Sequence, residues 1–107
     1  MTKGSETARR DALLARRLDL VASVSALTAE ALRLNQKRAG IEMEVLRLEL
    51  EIGRSHASAQ LVRDLHEAEQ SAAAILQACV ACEERIVSAE ADIEELDRQL
   101  VATANKN

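Results

Sequence analysis

The chain has 107 residues, contains no Pro, Phe, Tyr or Trp, and carries a formal net charge of −4 at pH 7. A chain of this length forms one domain. Without aromatic side chains we expect neither a deep small-molecule pocket nor a platform on which single-stranded nucleic acid bases could stack. The charge is uneven, with eight Lys or Arg against four Asp or Glu in residues 1–41, but four against ten in residues 55–107.

One apolar pattern occurs twice along the chain, at alternating spacings of four and three residues. Of its 24 positions 22 are apolar, and a repeat of 3.5 residues places each set on one stripe of an α-helix that must pack against a partner helix. We call these positions the seam. The seam consists of Leu13, Arg17, Leu20, Val24, Leu27, Ala31, Leu34, Arg38, Ile41, Val45, Leu48 and Ile52, followed by Leu61, Leu65, Ala68, Ala72, Ile75, Cys79, Cys82, Ile86, Ala89, Ile93, Leu96 and Leu100.

The first half of the seam predicts a helix over residues 5–52. Ser5 has the short polar side chain that caps a helix N-terminus. Gly53 follows the last seam residue of this half, at the position where a left-handed residue commonly ends a helix. We therefore expect Ser5 to begin the helix and Gly53 to end it.

Residues 53–58 resemble a turn, and the second half of the seam predicts a helix over residues 59–102. Ser55 or Ser58 could cap this second helix. The tail, residues 103–107, is predicted to fray.

Two arrangements fit this pattern: a hairpin folded at the turn, or one continuous helix paired with a second chain. Folding at the turn aligns residues whose numbers sum to 113, such as Leu13 and Leu100. It also brings Arg16 and Arg17 near Asp92, Asp97 and their neighbours. Opposite charges on the two halves favour this antiparallel alignment. The predicted fold is all-α: one domain, residues 1–107, forming an antiparallel two-helix coiled-coil hairpin.

A second apolar stripe repeats the four-three spacing beside the seam on each helix. A limited apolar patch on a rod usually marks a contact. We expect it to pair two copies into a homodimeric four-helix bundle or to bind a different protein by helix addition, whereas the alternative is that it thickens the hairpin core. The residues predicted to bind the partner are Leu14, Leu18, Val21, Leu32, Leu76, Val80 and Val87.

Polar and thiol residues within the seam are interpreted as structural. Cys79 and Cys82 match C-x-x-C, but a zinc site needs two further ligands and no second cysteine pair exists. A metal bridged between the two chains of a dimer is the alternative. Arg17 and Arg38 are interpreted as fixing the register of the helices, with contact to an acidic partner as the other possibility. We predict no catalytic residue, no metal site and no cofactor.

The basic start of the first helix gives an alternative function. Arg9, Arg10, Arg16 and Arg17 could contact phosphates in a small dimeric helical regulator that binds nucleic acid. In architecture the chain resembles the dimeric helical hairpins that grip paired RNA loops and control plasmid copy number. The acidic total charge weighs against this function.

The main functional prediction is a non-catalytic coiled-coil protein interaction module. The second apolar stripe predicts a module of the adaptor, chaperone or assembly-scaffold kind, which binds by helix addition. In size and architecture the chain also resembles the small helical export-apparatus proteins of bacterial type III secretion and flagellar systems. We expect a cytoplasmic location, because the sequence contains no apolar run of membrane-spanning length and no secretion signal. We do not expect an enzyme.

Overall fold

The computed structural model describes residues 3–55 and 57–105. Two helices, α1 (Lys3–Arg54) and α2 (Ala59–Ala104), make up these ranges apart from their connection and the last residue, and no strand occurs in them. The two helices pack against each other as an antiparallel hairpin. The predicted all-α hairpin is confirmed, and the alternative of one continuous helix is wrong. His56 of the predicted turn and the last two residues of the predicted tail lie outside the described ranges.

The hairpin divides into two compact units by its internal contacts. The terminal unit combines α1 up to Ala29 with α2 from Glu84, and the turn unit comprises Glu30–Glu83. Each unit therefore contains a segment of both helices and its own section of the seam. The buried side chains are Ala89 and Leu96 in the terminal unit, and Leu48, Ile75, Cys79 and Cys82 in the turn unit.

The seam forms the interface between the two helices, as predicted. All 24 seam residues are buried or half-buried, and nearly all other described residues are exposed. The intervening positions are rich in Ala, Leu, Glu and Arg, which favour helix, and the sequence has no Pro to interrupt it. The 3.5-residue repeat thus decides both the secondary structure and the buried face.

Contacts across the helices fix the register within each unit. In the terminal unit, Arg17 Nε donates a hydrogen bond to Asp97 Oδ1 at 2.6 Å. In the turn unit, the Cys79 thiol donates to Asn35 Oδ1 at 3.7 Å. The residue numbers of both pairs sum to 114, so these contacts lie within one residue of the predicted alignment, in which the sum is 113.

The predicted caps of α1 are wrong, and each end of the helix lies two residues beyond the predicted one. The helix begins at Lys3, so Ser5 lies inside it rather than at its cap. Gly53 also lies inside the helix, and no described glycine has a positive φ. At the end of α1, Ser55 donates two hydrogen bonds to the Glu51 carbonyl, from its backbone N–H at 3.1 Å and from its hydroxyl at 3.0 Å.

Ser58 caps α2, which decides between the two candidate serines. Its Oγ accepts a hydrogen bond from the Leu61 N–H at 3.1 Å, and its carbonyl accepts one from the Val62 N–H at 3.1 Å. The hydroxyl therefore satisfies one of the amides that a helix N-terminus leaves without a partner. At its other end α2 reaches Ala104, two residues beyond the predicted end.

Candidate partner-binding surface

The terminal unit exposes four of the residues predicted to bind a partner, which we call the terminal flank: Leu14, Leu18, Val21 and Val87. Leu18 is 70% exposed and Val87 is 63% exposed, and the other two are also exposed. Each of the four directly follows a seam residue in the sequence. A stripe of large apolar side chains in water is a feature typical of a surface that another molecule covers.

The turn unit exposes the other three predicted contact residues, which we call the turn flank: Leu32, Leu76 and Val80. Leu32 is 60% exposed, and Leu76 and Val80, four residues apart on α2, are also exposed. The high exposure of Leu18 and Leu32 shows that these side chains do not thicken the hairpin core, so that alternative is wrong.

An open groove of about 320 Å³ runs between the two helices of the terminal unit. It is lined by Val21, Val24 and Ser25 of α1 and by Glu90, Ile93 and Glu94 of α2. Val24 and Ile93 belong to the seam and are half-buried. The remaining four lining residues each directly follow a seam residue, so these positions on both helices border the same groove.

The charges beside this groove are unequally compensated. Asp97 is paired with Arg17, and the hydrogen bond and the negative charge of Asp97 raise the pKa of the Arg17 guanidinium. Glu90 and Glu94 make no ion pair with any residue in the described ranges. The groove therefore combines an apolar floor with two uncompensated carboxylates on its α2 side.

The two seam arginines differ in what they bind. Arg17 joins the two helices through Asp97, whereas Arg38 Nε donates to Glu42 Oε1 at 2.8 Å on its own helix. The register-fixing interpretation thus has a structural basis at Arg17.

The basic start of α1 is partly engaged by α2. Arg10 Nη1 donates to the Leu100 carbonyl at 3.5 Å and to Thr103 Oγ1 at 3.3 Å, and Arg17 is held by Asp97. Of the four arginines that could contact phosphates, two are therefore directed towards the acidic helix. This arrangement weakens the case for nucleic-acid binding through this segment.

The two cysteines lie in the packed seam of the turn unit. Cys79 is 8% exposed and Cys82 is 4% exposed, and they do not form a disulfide with each other. Across residues 3–55 and 57–105, no three His, Cys, Asp or Glu side chains are grouped so that they could hold a metal ion. Burial at the seam is the arrangement expected of thiols used as small apolar side chains.

Sequence reasoning missed two features of these surfaces. The hydrogen bond from Cys79 to Asn35 has no signal beyond the alignment of the two helices. The sequence does show that the second apolar stripe of α2 gives way to Glu90 and Glu94, but not that these residues line a groove with Val21 and Ser25.

Comparisons with known proteins assign no role to this surface. No protein-family model matches the chain, and searches of curated proteins and of solved structures found no match. In the part of the chain that the structure describes, neither helix has a stretch long and apolar enough to cross a membrane.

Proposed function

We propose that the protein is a non-catalytic coiled-coil interaction module, in which the exposed apolar flank of each unit binds an amphipathic helix. The observation that carries this proposal is the exposure of all seven predicted contact residues, four in the terminal flank and three in the turn flank. Adaptors, chaperones and assembly scaffolds use this mode of binding. The occupant is either a helix of another protein or a second copy, which would complete a four-helix bundle.

Helix addition is energetically reasonable for side chains of this kind. Covering a Leu or Val side chain stabilises a complex by about 1.5–3 kcal/mol, before the cost of association is subtracted. Leu18 and Val87 are each more than half exposed, so each has most of this contribution to gain.

The test uses three synthetic helical peptides of about three heptads that share one leucine stripe. Their polar faces consist of Gln, Lys or Glu. Binding is measured by fluorescence anisotropy, and self-association of the protein by sedimentation equilibrium. We expect Leu18→Glu combined with Val80→Glu to abolish whichever assembly forms, with helicity retained by circular dichroism.

Met43→Glu combined with Leu50→Glu is the matched control. Both side chains are large and more than half exposed. The two residues are seven positions apart from each other on the outward face of α1. This control should leave assembly unchanged. Peptide binding or self-association that survives equally in both double variants would show that the flanks are not the interface.

A further inference from the structure

We propose that the occupant of the terminal flank is a cationic amphipathic helix of another protein, rather than a second copy of this chain. This inference rests on the proposed function, because it names the partner class of the same surface. It is carried by the distribution of charge around the groove between Val21 and Glu90.

The positions that directly follow a seam residue form one side of the terminal unit. On an antiparallel hairpin these positions of both helices share a side, and the lining of the groove by Val21 and Ser25 together with Glu90 and Glu94 places them there. On this side the unit carries Leu14, Leu18, Val21, Ser25 and Thr28 from α1, and Val87, Glu90, Glu94, Asp97 and Val101 from α2.

This side contains acidic and apolar side chains but neither Lys nor Arg. The arginines of the terminal unit occupy other positions: Arg9, Arg10, Arg16, Arg17, Arg85 and Arg98. Arg16 and Arg85, for example, directly precede a seam residue and so lie on the opposite side of the hairpin. Of the basic residues, Arg17 reaches from the seam to this side, where it compensates Asp97 and leaves Glu90 and Glu94.

A second copy fits this surface poorly. In a two-fold dimer both copies bury the same surface, and its one basic residue, Arg17, already pairs with Asp97, so neither copy offers a basic side chain to Glu90 and Glu94 of the other. Like charges placed opposite each other across an interface are strongly disfavoured. A helix with an apolar stripe flanked by Lys or Arg would instead bury its stripe against Leu18 and Val87 and direct its charges at the two glutamates.

The three helical peptides with polar faces of Gln, Lys or Glu test this charge preference. The Lys peptide should bind at least about tenfold more tightly than the Glu peptide, with the Gln peptide between them. Its affinity should fall as salt rises, because surface charges are screened. Glu90→Lys combined with Glu94→Lys should reverse the order of the Lys and Glu peptides.

The matched control is Glu84→Lys combined with Asp92→Lys. It makes the same change of charge within the terminal unit, but neither residue lines the groove. We expect the control to keep the Lys peptide as the preferred ligand, with less than half of the loss in affinity seen in the groove variant.

The outcomes separate this inference from the function on which it rests. The three peptides could bind equally, and this binding could be lost in the variant that combines Leu18→Glu with Val80→Glu. That result would overturn the charge preference but support the interaction module. A stable dimer that Leu18→Glu disrupts would also overturn the inference, because the second copy would be the occupant. If no peptide binds and the chain remains a monomer, both proposals fail.

Discussion

Arg17 Nε lies 2.6 Å from Asp97 Oδ1, and this ion pair connects residues that are 80 positions apart in the chain. Arg17 occupies a seam position, where an apolar residue would bury more surface. Its long side chain instead reaches out of the seam to a carboxylate on the opposite helix, in the manner of an amphipathic side chain at an interface. The pair therefore specifies which stretch of α2 lies beside the start of α1.

A charge swap tests this role. Asp97→Arg alone should lower the melting temperature, because it places two arginines together. Adding Arg17→Asp should restore part of the loss, and the recovery should shrink in about 1 M salt since the pair is solvent-accessible. A double variant no more stable than the single one would contradict the role of the pair.

Core packing in the turn unit depends strongly on Leu48, the least exposed side chain in the described core, with 2% exposure. Leu48→Ala should lower the free energy of unfolding by about 2–5 kcal/mol, because it leaves a cavity between the helices. Leu50→Ala, two residues further along the same helix and exposed, should change it by about 0.5 kcal/mol or less. Urea denaturation followed by circular dichroism measures both. Similar losses in the two variants would contradict the assignment of the seam.

The burial of Cys79 and Cys82 predicts slow thiol chemistry. Both thiols are under 9% exposed, so an alkylating reagent should modify the native protein much more slowly than the urea-unfolded chain. The native rate should rise in the Leu48→Ala variant, because modification then proceeds through more frequent opening. Modification of the untreated wild-type protein at the unfolded rate would show that this part of the seam is open.

Two surface carboxylates determine the direction in which the stability of the fold changes with pH. Hydrogen bonds from Arg47 hold the pKa of Glu44 below its ordinary value of 4.5, and hydrogen bonds from Arg98 and Gln99 lower that of Glu95 in the same way. A pKa lowered by folding means that the ionised group stabilises the fold above pH 4.5, and that this contribution is lost as the pH falls through the lower, folded value.

Carboxyl NMR titration measures these shifts directly. Arg47→Gln should return the pKa of Glu44 towards 4.5 and leave that of Glu95 unchanged. Arg98→Gln should do the converse. The accompanying change in stability should be small, because the groups are exposed. A Glu44 pKa that does not respond to Arg47→Gln would show that the hydrogen bonds between them do not persist in solution.

Gly40 has no special conformation that would require glycine. It lies inside α1 without a positive φ, and a Cβ atom added there would meet no neighbour within 4 Å. Gly40→Ala should therefore raise the free energy of unfolding by about 1 kcal/mol, as thermal or urea unfolding would show. A destabilised variant would contradict this and indicate that glycine permits a close approach at this position.

The fold and its register could be predicted from the sequence because one interaction dominates them. The four-three spacing of residues such as Leu48 and Ile75 requires two packed helices, and the turn after Ile52 aligns them. The caps of α1 could not be predicted as well, because Gly53 suits a left-handed cap in sequence, whereas in the structure it lies inside the helix without a positive φ. Local capping alternatives differ by too little free energy for the residue types alone to decide.

The apolar flanks and the glutamates that follow them on α2 can be read from the spacing, but the groove cannot. Val21 and Glu90 are 69 positions apart, so their shared groove follows only once the register is fixed. Arg17 compensates the charge of Asp97 and not that of Glu94, and this choice depends on how far one arginine side chain reaches. Such details arise from side-chain geometry across the two helices, which a pattern along a single helix does not contain.

Methyl NMR of the protein titrated with the Lys peptide locates the bound helix on the hairpin. The largest chemical-shift changes are expected at the methyl groups of Leu14, Leu18, Val21 and Val87, while the Met43 methyl does not respond. Changes centred on Met43 and Leu50, or changes of equal size at all exposed methyl groups, would contradict this location.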